Sequence, residues 1–232
     1  MTNDPSKILV IAKEAPLRSH LRRALETLGF DVGEASNGVI ALTRLRMADY
    51  EAIILGCRMF GGDSMADCKQ LRSLYSSLPI LILSAHNSLN NKVAAFEAGA
   101  DDYMVRPFSK RELNARLRSA IRRSHPPAVG ISGRFVIGQI VLDSARHRVE
   151  KSGSEVSLTP LEFRTLQMLM QQAGRPITYS ALLVALWGQD SKPHREHLRV
   201  VISALRKKIE DNPSCPTYVI THSFFGYCFR DQ

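Results

Sequence analysis

Cysteine is scarce in this chain. None of the four, Cys57, Cys68, Cys215 and Cys228, is spaced as Cys-x-x-Cys or stands beside a histidine cluster. Neither a zinc site nor a disulfide framework is suggested, and reduced thiols are the default. No apolar run approaches the roughly 18 residues needed to cross a bilayer. The N-terminus MTNDPSKILV carries Asp4 and Pro5 where a secretory signal would have a basic segment and a long apolar core. A cytoplasmic location and no membrane partner are therefore expected. No nucleophile–base pair or metal-ligand cluster is recognisable, so no enzymatic activity, metal or cofactor is expected. Acidic residues are in deficit, with 22 Asp and Glu against 31 Lys and Arg, a formal net charge of +9. That surplus points to a polyanionic partner. It is spread along the chain, since residues 1–124 hold 18 basic against 13 acidic residues and residues 125–232 hold 13 against 9.

At 232 residues there is length for two domains, and a hydrophobic content of 44% is that of a globular protein. The first half alternates two periodicities. Short, nearly all-apolar runs at Lys7 to Ala12, Glu51 to Gly56, Pro79 to Ser84 and Tyr103 to Val105, with a weaker one at Asp31 to Ala35, suit strands covered on both faces. Amphipathic stretches at Pro16 to Leu28, Gly38 to Met47, Ser64 to Leu74, Leu89 to Ala98 and Lys110 to Arg123 suit helices. Five strand–helix repeats imply right-handed crossovers and a doubly wound parallel α/β sheet with its ligand site at the carboxyl ends of the strands.

The segments ILVIAKEAPLR and FEAGADDYMVRPFSKREL, within Lys7 to Arg123, resemble a response-regulator receiver domain. The resemblance implies a phospho-accepting aspartate ending the third strand and two acidic Mg²⁺ ligands after the first. It also implies a lysine after the fifth strand and a Ser/Thr after the fourth. Here the acceptor position falls on Gly56, the acidic pair on Ala12 and Lys13, leaving Glu14, and the lysine on Arg106. Glycine cannot form an acyl phosphate, and a lysine ammonium beside a Mg²⁺ site opposes the carboxylates it needs. Asp63 is the nearest downstream aspartate and reads as a loop or cap residue. Ser84 and Tyr103 retain the serine and aromatic switch positions. Lys13 and Arg106 are expected either to attract an anion or to hold the pocket in one state through Glu14. Lys92, Asp101, Asp102, Glu112, Arg116 and Arg123 match positions at which the winged-helix branch of the family pairs charges across a dimer face.

A proline-containing segment, 124–133, separates the halves and forms the expected linker. Four short strand-like runs then precede Thr159-Pro160-Leu161-Glu162, which reads as a capped helix start. A second short helix spans Tyr179 to Leu186, and a loop at Gln189 to His194 leads to a third at Arg195 to Glu210. In that third helix Leu198, Ile202, Leu205 and Ile209, with Val201, form an apolar stripe; Arg195, Arg199, Ser203 and Arg206 run down the adjoining face. A hairpin at Tyr218 to Phe229 closes the chain. Helix, helix, basic helix and hairpin make a winged helix-turn-helix. LTPLEF, LWG, LRKKIE and GYCF resemble the effector domain of the OmpR/PhoB family over 134–230.

The expected organisation is thus a receiver-like (βα)5 domain over 1–123, a linker over 124–133 and an α+β winged helix-turn-helix over 134–232. The expected partners are double-stranded DNA, a second copy of the chain, and RNA polymerase. DNA contacts are expected from Arg195, His197, Arg199, Ser203, Arg206, Lys207, His222 and Arg230. The family's wing arginine and glycine are replaced by Ser223 and Phe224, and its recognition-helix His and Arg by Val201 and Ala204. The favoured function is DNA-binding transcription regulation without aspartyl phosphorylation. A protein-interaction adaptor with weak DNA binding is the alternative.

Overall fold

The computed structural model describes residues 5–56, 64–124, 133–188, 190 and 192–231, the side chains of 192 and 193 apart. It forms two compact units, Met1–Ser124 and His125–Gln232. Most of the expected linker lies outside the described residues.

The first unit runs β1 (Lys7–Ile11), α1 (Ala15–Thr27), β2 (Asp31–Ala35), α2 (Gly38–Met47), β3 (Ala52–Gly56), α3 (Ser64–Leu74), β4 (Ile80–Ser84), α4 (Leu89–Glu97), β5 (Asp102–Val105) and α5 (Lys110–Ser124). The all-parallel sheet has the order β2-β1-β3-β4-β5. Its central strands are apolar throughout because helices cover both faces. One face packs Ile8, Val10, Ile54 and Leu83 against Leu21 and Leu25 of α1 and Leu113 and Leu117 of α5. Local chemistry starts the helices where the sequence predicts. Asn37 accepts from the Ile40 N–H before α2, Ser88 from the Asn91 N–H before α4, and Pro16 sits in the first turn of α1.

The second unit opens with an antiparallel meander, β6 (Arg134–Ile137), β7 (Ile140–Asp143), β8 (Arg148–Lys151) and β9 (Ser154–Glu155). It continues with α6 (Pro160–Gln171), β10 (Ile177–Thr178), α7 (Tyr179–Trp187), α8 (Lys192–Ile209), β11 (Val219–His222) and β12 (Gly226–Phe229). At α6 the capping box is complete: Thr159 Oγ1 accepts from the Glu162 N–H, and the Glu162 carboxylate accepts from the Thr159 N–H. Gly188, at φ 78°, ends α7 in the left-handed cap that glycine adopts without strain. The apolar stripe of α8, Leu198, Ile202, Leu205 and Ile209, is buried against α6, α7 and the hairpin. Burying each such side chain contributes about 1.5–3 kcal/mol.

Two expectations need correction here. The segment Gln189 to His194 is not wholly a loop, because α8 already begins at Lys192; Pro193 sits in the first turn, where its missing N–H is harmless. The two-residue strand β10 has no counterpart among the expected elements, being too short to show a periodicity. It pairs with β12, joining the hairpin to the start of α7. That junction explains Gly226, where an added Cβ would collide with the Ile177 carbonyl oxygen. Gly226→Ala is expected to cost about 1–3 kcal/mol by overpacking, read as a lower denaturant midpoint.

Candidate receiver pocket and nucleic-acid interface

The carboxyl ends of β1, β3 and β5 converge where a doubly wound sheet places its ligand. Gly56 ends β3 fully buried, and a Cβ there would lie 2.9 Å from the Ala12 Cβ, 3.4 Å from the Ile11 carbonyl oxygen and 3.4 Å from Leu17 Cδ2. The contact with Ala12 is tighter than a Cβ tolerates, so any side chain there requires the strand ends to shift. Lys13 and Glu14 are exposed on the following loop. Arg18 Nη1 donates to the carbonyls of Ala12 and Lys13, at 2.7 and 2.8 Å. Across the pocket, Arg106 Nη1 lies 3.6 Å from Glu14 Oε2. Glu14 is thus paired with Arg106, Lys13 stands exposed beside it, and the carbonyls of Ala12 and Lys13 are bonded by Arg18.

A Mg²⁺ ion takes one or two carboxylates with further oxygen ligands. These residues do not fit one: Glu14 faces a guanidinium, and among the described residues no group of three His, Cys, Asp or Glu could hold a metal. Ser84 is buried, and its Oγ accepts from the His86 N–H at 3.0 Å. Tyr103 is buried too, its hydroxyl donating 2.8 Å to the His86 carbonyl. Both switch positions are therefore tied to one residue of the β4–α4 loop. Asp63 lies outside the described residues.

The charges expected on a dimer face separate into two groups. Asp101 is buried, with Oδ2 accepting from Arg72 Nη2 of α3 and from the Ile80 N–H, so it clamps α3 to the sheet. Asp102 is buried as well, taking a two-pronged bond from Arg116 Nη1 at 2.8 and 3.0 Å. Arg123 is buried against its own helix and donates to Ser119 Oγ. These three are corrected from interface to internal roles: Asp101 and Asp102 are paired with Arg72 and Arg116 where they sit, and Arg123 is buried within the unit. Lys92 on α4, with Glu112 and Arg116 on α5, remain partly accessible. Lys92 reaches Asn87 Oδ1, and Glu112 accepts from Arg116 Nε.

In the second unit the exposed face of α8 carries Arg195, Arg199, Ser203 and Lys207, about one helical turn apart. Arg195 forms a two-pronged pair with Asp190, at 2.8 and 2.7 Å. The Asp190 carboxyl is held below its ordinary value by that bond. One expected DNA contact is overturned, and a second, Arg206, also has an internal role. His197 is fully buried, its ring 4.9 Å from that of Trp187, while His194 stacks on the same indole at 5.2 Å. Histidine and tryptophan fasten the start of α8 to the end of α7, so His197 has no access to a duplex. Arg206 donates from Nε and Nη2 to the Val219 carbonyl and from Nη2 to Thr221 Oγ1. It braces the wing. Arg199, Ser203, Lys207, His222 and Arg230 are exposed.

Sequence reasoning misses Glu210. Buried just past α8, its carboxylate accepts from the backbone N–H groups of Thr217, Tyr218 and Val219 and from the Thr217 hydroxyl. A carboxylate at a helix C-terminus opposes the helix dipole, and that local mismatch is the available signal. From sequence alone Lys208 suits solvent and phosphate equally. It lies 2.6 Å from the buried Glu162 carboxylate, linking α8 to the capping box of α6.

Comparison with known proteins gives two domain matches: "Response regulator receiver domain" over residues 8–118 and "Transcriptional regulatory protein, C terminal" over residues 153–229. The chain is 37% identical to the probable transcriptional regulator ycf27 of Porphyra purpurea over 237 residues, covering 99% of this chain and 97% of that protein. It is 36% identical to the KDP operon transcriptional regulatory protein KdpE of Escherichia coli (strain K12) over 229 residues, covering 99% of each. A solved structure of a RitR mutant shares the fold, with a TM-score of 0.79 at 23% identity over 98% of this chain and 100% of that one. No helix among the described residues is long and apolar enough to cross a membrane.

Proposed function

This chain belongs to the response regulators that join a receiver domain to an OmpR/PhoB-type DNA-binding domain, a family of transcriptional regulators, and we propose that within it the protein acts without aspartyl phosphorylation. The observation that carries this reading is the packing of Ala12 against Gly56, which leaves no room for a Cβ without a shift, with Glu14 3.6 Å from Arg106. Where the family has an acceptor side chain and its metal ligands, this chain has a glycine packed against Ala12 and an exposed Glu14 beside Arg106. The tie of Ser84 and Tyr103 to His86 supports a switch held in one position. Incubation of the full chain with acetyl phosphate and Mg²⁺, read by intact mass and by operator affinity, tests it. The expected result is no acyl phosphate and unchanged affinity. Stoichiometric labelling with tighter DNA binding would overturn the reading.

Sequence-specific DNA binding is assigned to α8 and the wing, with Arg199, Ser203 and Lys207 facing the duplex and His222 and Arg230 at the hairpin. Arg199→Ala is expected to weaken binding about tenfold or more and to reduce the salt slope by about one. A flat salt dependence would instead favour the adaptor reading. Pairing of two chains is assigned to the receiver through Lys92, Glu112 and Arg116. Such partly exposed charges set register more than affinity, at about 0–1 kcal/mol per pair. A strictly monomeric species in sedimentation at micromolar concentration would remove that part. RNA polymerase is the expected further partner of a regulator bound beside a promoter.

A further inference from the structure

The tip of the β11–β12 hairpin is built unlike an ordinary exposed turn. Phe224 is 103% exposed and adopts φ 63°, the left-handed region that bulky side chains rarely enter. Phe225 beside it is 48% exposed. The turn is nevertheless fixed. The Phe225 N–H donates 3.0 Å to the His222 carbonyl, and the Phe225 carbonyl accepts from the Tyr179 N–H of α7 at 2.9 Å. A strained backbone held on both sides by hydrogen bonds, projecting an aromatic ring into water, is the kind of outlier that marks a functional contact. A glycine at this position would relieve the strain and remove the exposed apolar surface.

The tip is also aimed by its neighbours. Thr221 opposes Tyr227 in the hairpin register, and Arg206 of α8 binds Val219 and Thr221. Burial pushes the Tyr227 hydroxyl up, while the charges of Arg206 and Arg199 act on it in the opposite sense. Arg206 thus ties β11 to α8, the helix whose exposed face carries Arg199 and Lys207. Exposed His222 stands at the base of the tip. The domain thus offers cationic groups for a phosphate backbone and, at the tip of the hairpin that Arg206 ties to α8, an exposed uncharged ring.

We propose that Phe224 is an apolar wedge that enters the minor groove of bound duplex DNA and partly unstacks a base step, bending the duplex toward α8. The proposal rests on the DNA-binding reading above and adds to it the mode of contact at the wing. Apolar side chains inserted between base steps kink a duplex, and pyrimidine–purine steps yield most readily. The wing then selects sequence through the deformability of a step, with no hydrogen bond to a base edge. Preorganisation of the turn spares the ordering cost on binding.

The test uses the full chain and a duplex that the wild-type protein selects from a random-sequence pool. Affinity is measured across salt concentrations, and bending by energy transfer between dyes at the duplex ends. Phe224→Ala and Phe224→Gly are compared with wild type, glycine because it accepts the left-handed turn and so separates loss of the ring from loss of fold. Both variants are expected to melt no lower than wild type, to bind about tenfold more weakly or worse, to lose the bend and to keep the wild-type salt slope. The selected duplexes are expected to carry a flexible step at a fixed distance from the α8 contact. Unchanged affinity and bend in both variants would overturn the wedge while leaving DNA binding intact, handing the tip to a protein partner. Failure of the wild-type chain to select or bind any duplex at low salt would overturn the DNA-binding reading and the wedge with it.

Discussion

Gly56→Asp, the substitution that writes the missing acceptor back into the chain, is expected to destabilise the receiver by about 3 kcal/mol or more and to gain no phosphoryl group. Its Cβ alone would lie 2.9 Å from the Ala12 Cβ, a methyl on a buried strand end with no rotamer to move aside. The carboxylate beyond it would enter a pocket whose facing cation, Arg106, is already paired with Glu14. Overpacking at the Cβ is the main cost, and desolvation of the new carboxylate adds to it. Gly56→Ala separates the two, since it carries only the steric part, about 1–3 kcal/mol. Denaturant melts of the two variants, followed by acetyl phosphate labelling, check the prediction. An aspartate variant that melts like wild type and is labelled stoichiometrically would mean that the pocket opens readily, and the proposed independence from phosphorylation would reduce to one missing side chain.

Glu210→Ala is expected to lower the stability of the winged domain by about 3–5 kcal/mol and to release the wing from α8, since an unsatisfied buried donor costs about 1–3 kcal/mol, more when the lost acceptor was charged. The carboxylate serves four donors, three of them successive backbone N–H groups leading into β11. Val219 is fully buried, so water cannot replace the lost oxygen there without opening the hairpin. Arg206, which holds the carbonyl of the same Val219, would be left to tie helix to strand. Hydrogen exchange is the direct readout, with protection at Thr217 to Val219 falling by orders of magnitude while the β1–β5 sheet keeps its own. Retained protection at those amides would show that another group supports the wing. Glu210→Gln keeps one acceptor oxygen and is expected to lose less.

Secondary structure was legible because its causes are local. The β2, α2 and α3 boundaries coincide with those read from periodicity and caps, and Thr159 with Glu162 announced α6 through a capping box that needs only four consecutive residues. The chemical deficit of the receiver was legible as well, since glycine at position 56 has no oxygen to phosphorylate in any fold. The face assignments of charged residues were less secure. Asp101, Asp102 and Arg123 look like surface charges in a sequence, yet each is buried among partners from elsewhere in the chain or its own helix. His197 shares a helix with Arg199 but lies on its inward side, under Trp187. Helical spacing fixes which residues share a face, whereas the angle at which the helix packs decides how far toward the edge of that face water still reaches.

The sequence by itself determined that this is a basic two-domain chain, an alternating α/β half followed by a winged helix-turn-helix, and that its usual acceptor position cannot carry phosphate. Periodicity, caps and side-chain chemistry depend on neighbours along the chain and survive without coordinates. Only the tertiary structure decided that Ala12 packs against Gly56, that Arg206 and Glu210 bond the wing, and that Phe224 stands fully exposed at its tip. Those facts depend on how separate elements pack, as do contacts across longer stretches of chain such as the 46 positions separating Lys208 from Glu162. A charge or a ring acquires its role from whatever the fold brings within bonding reach, and for these residues that partner is set by packing.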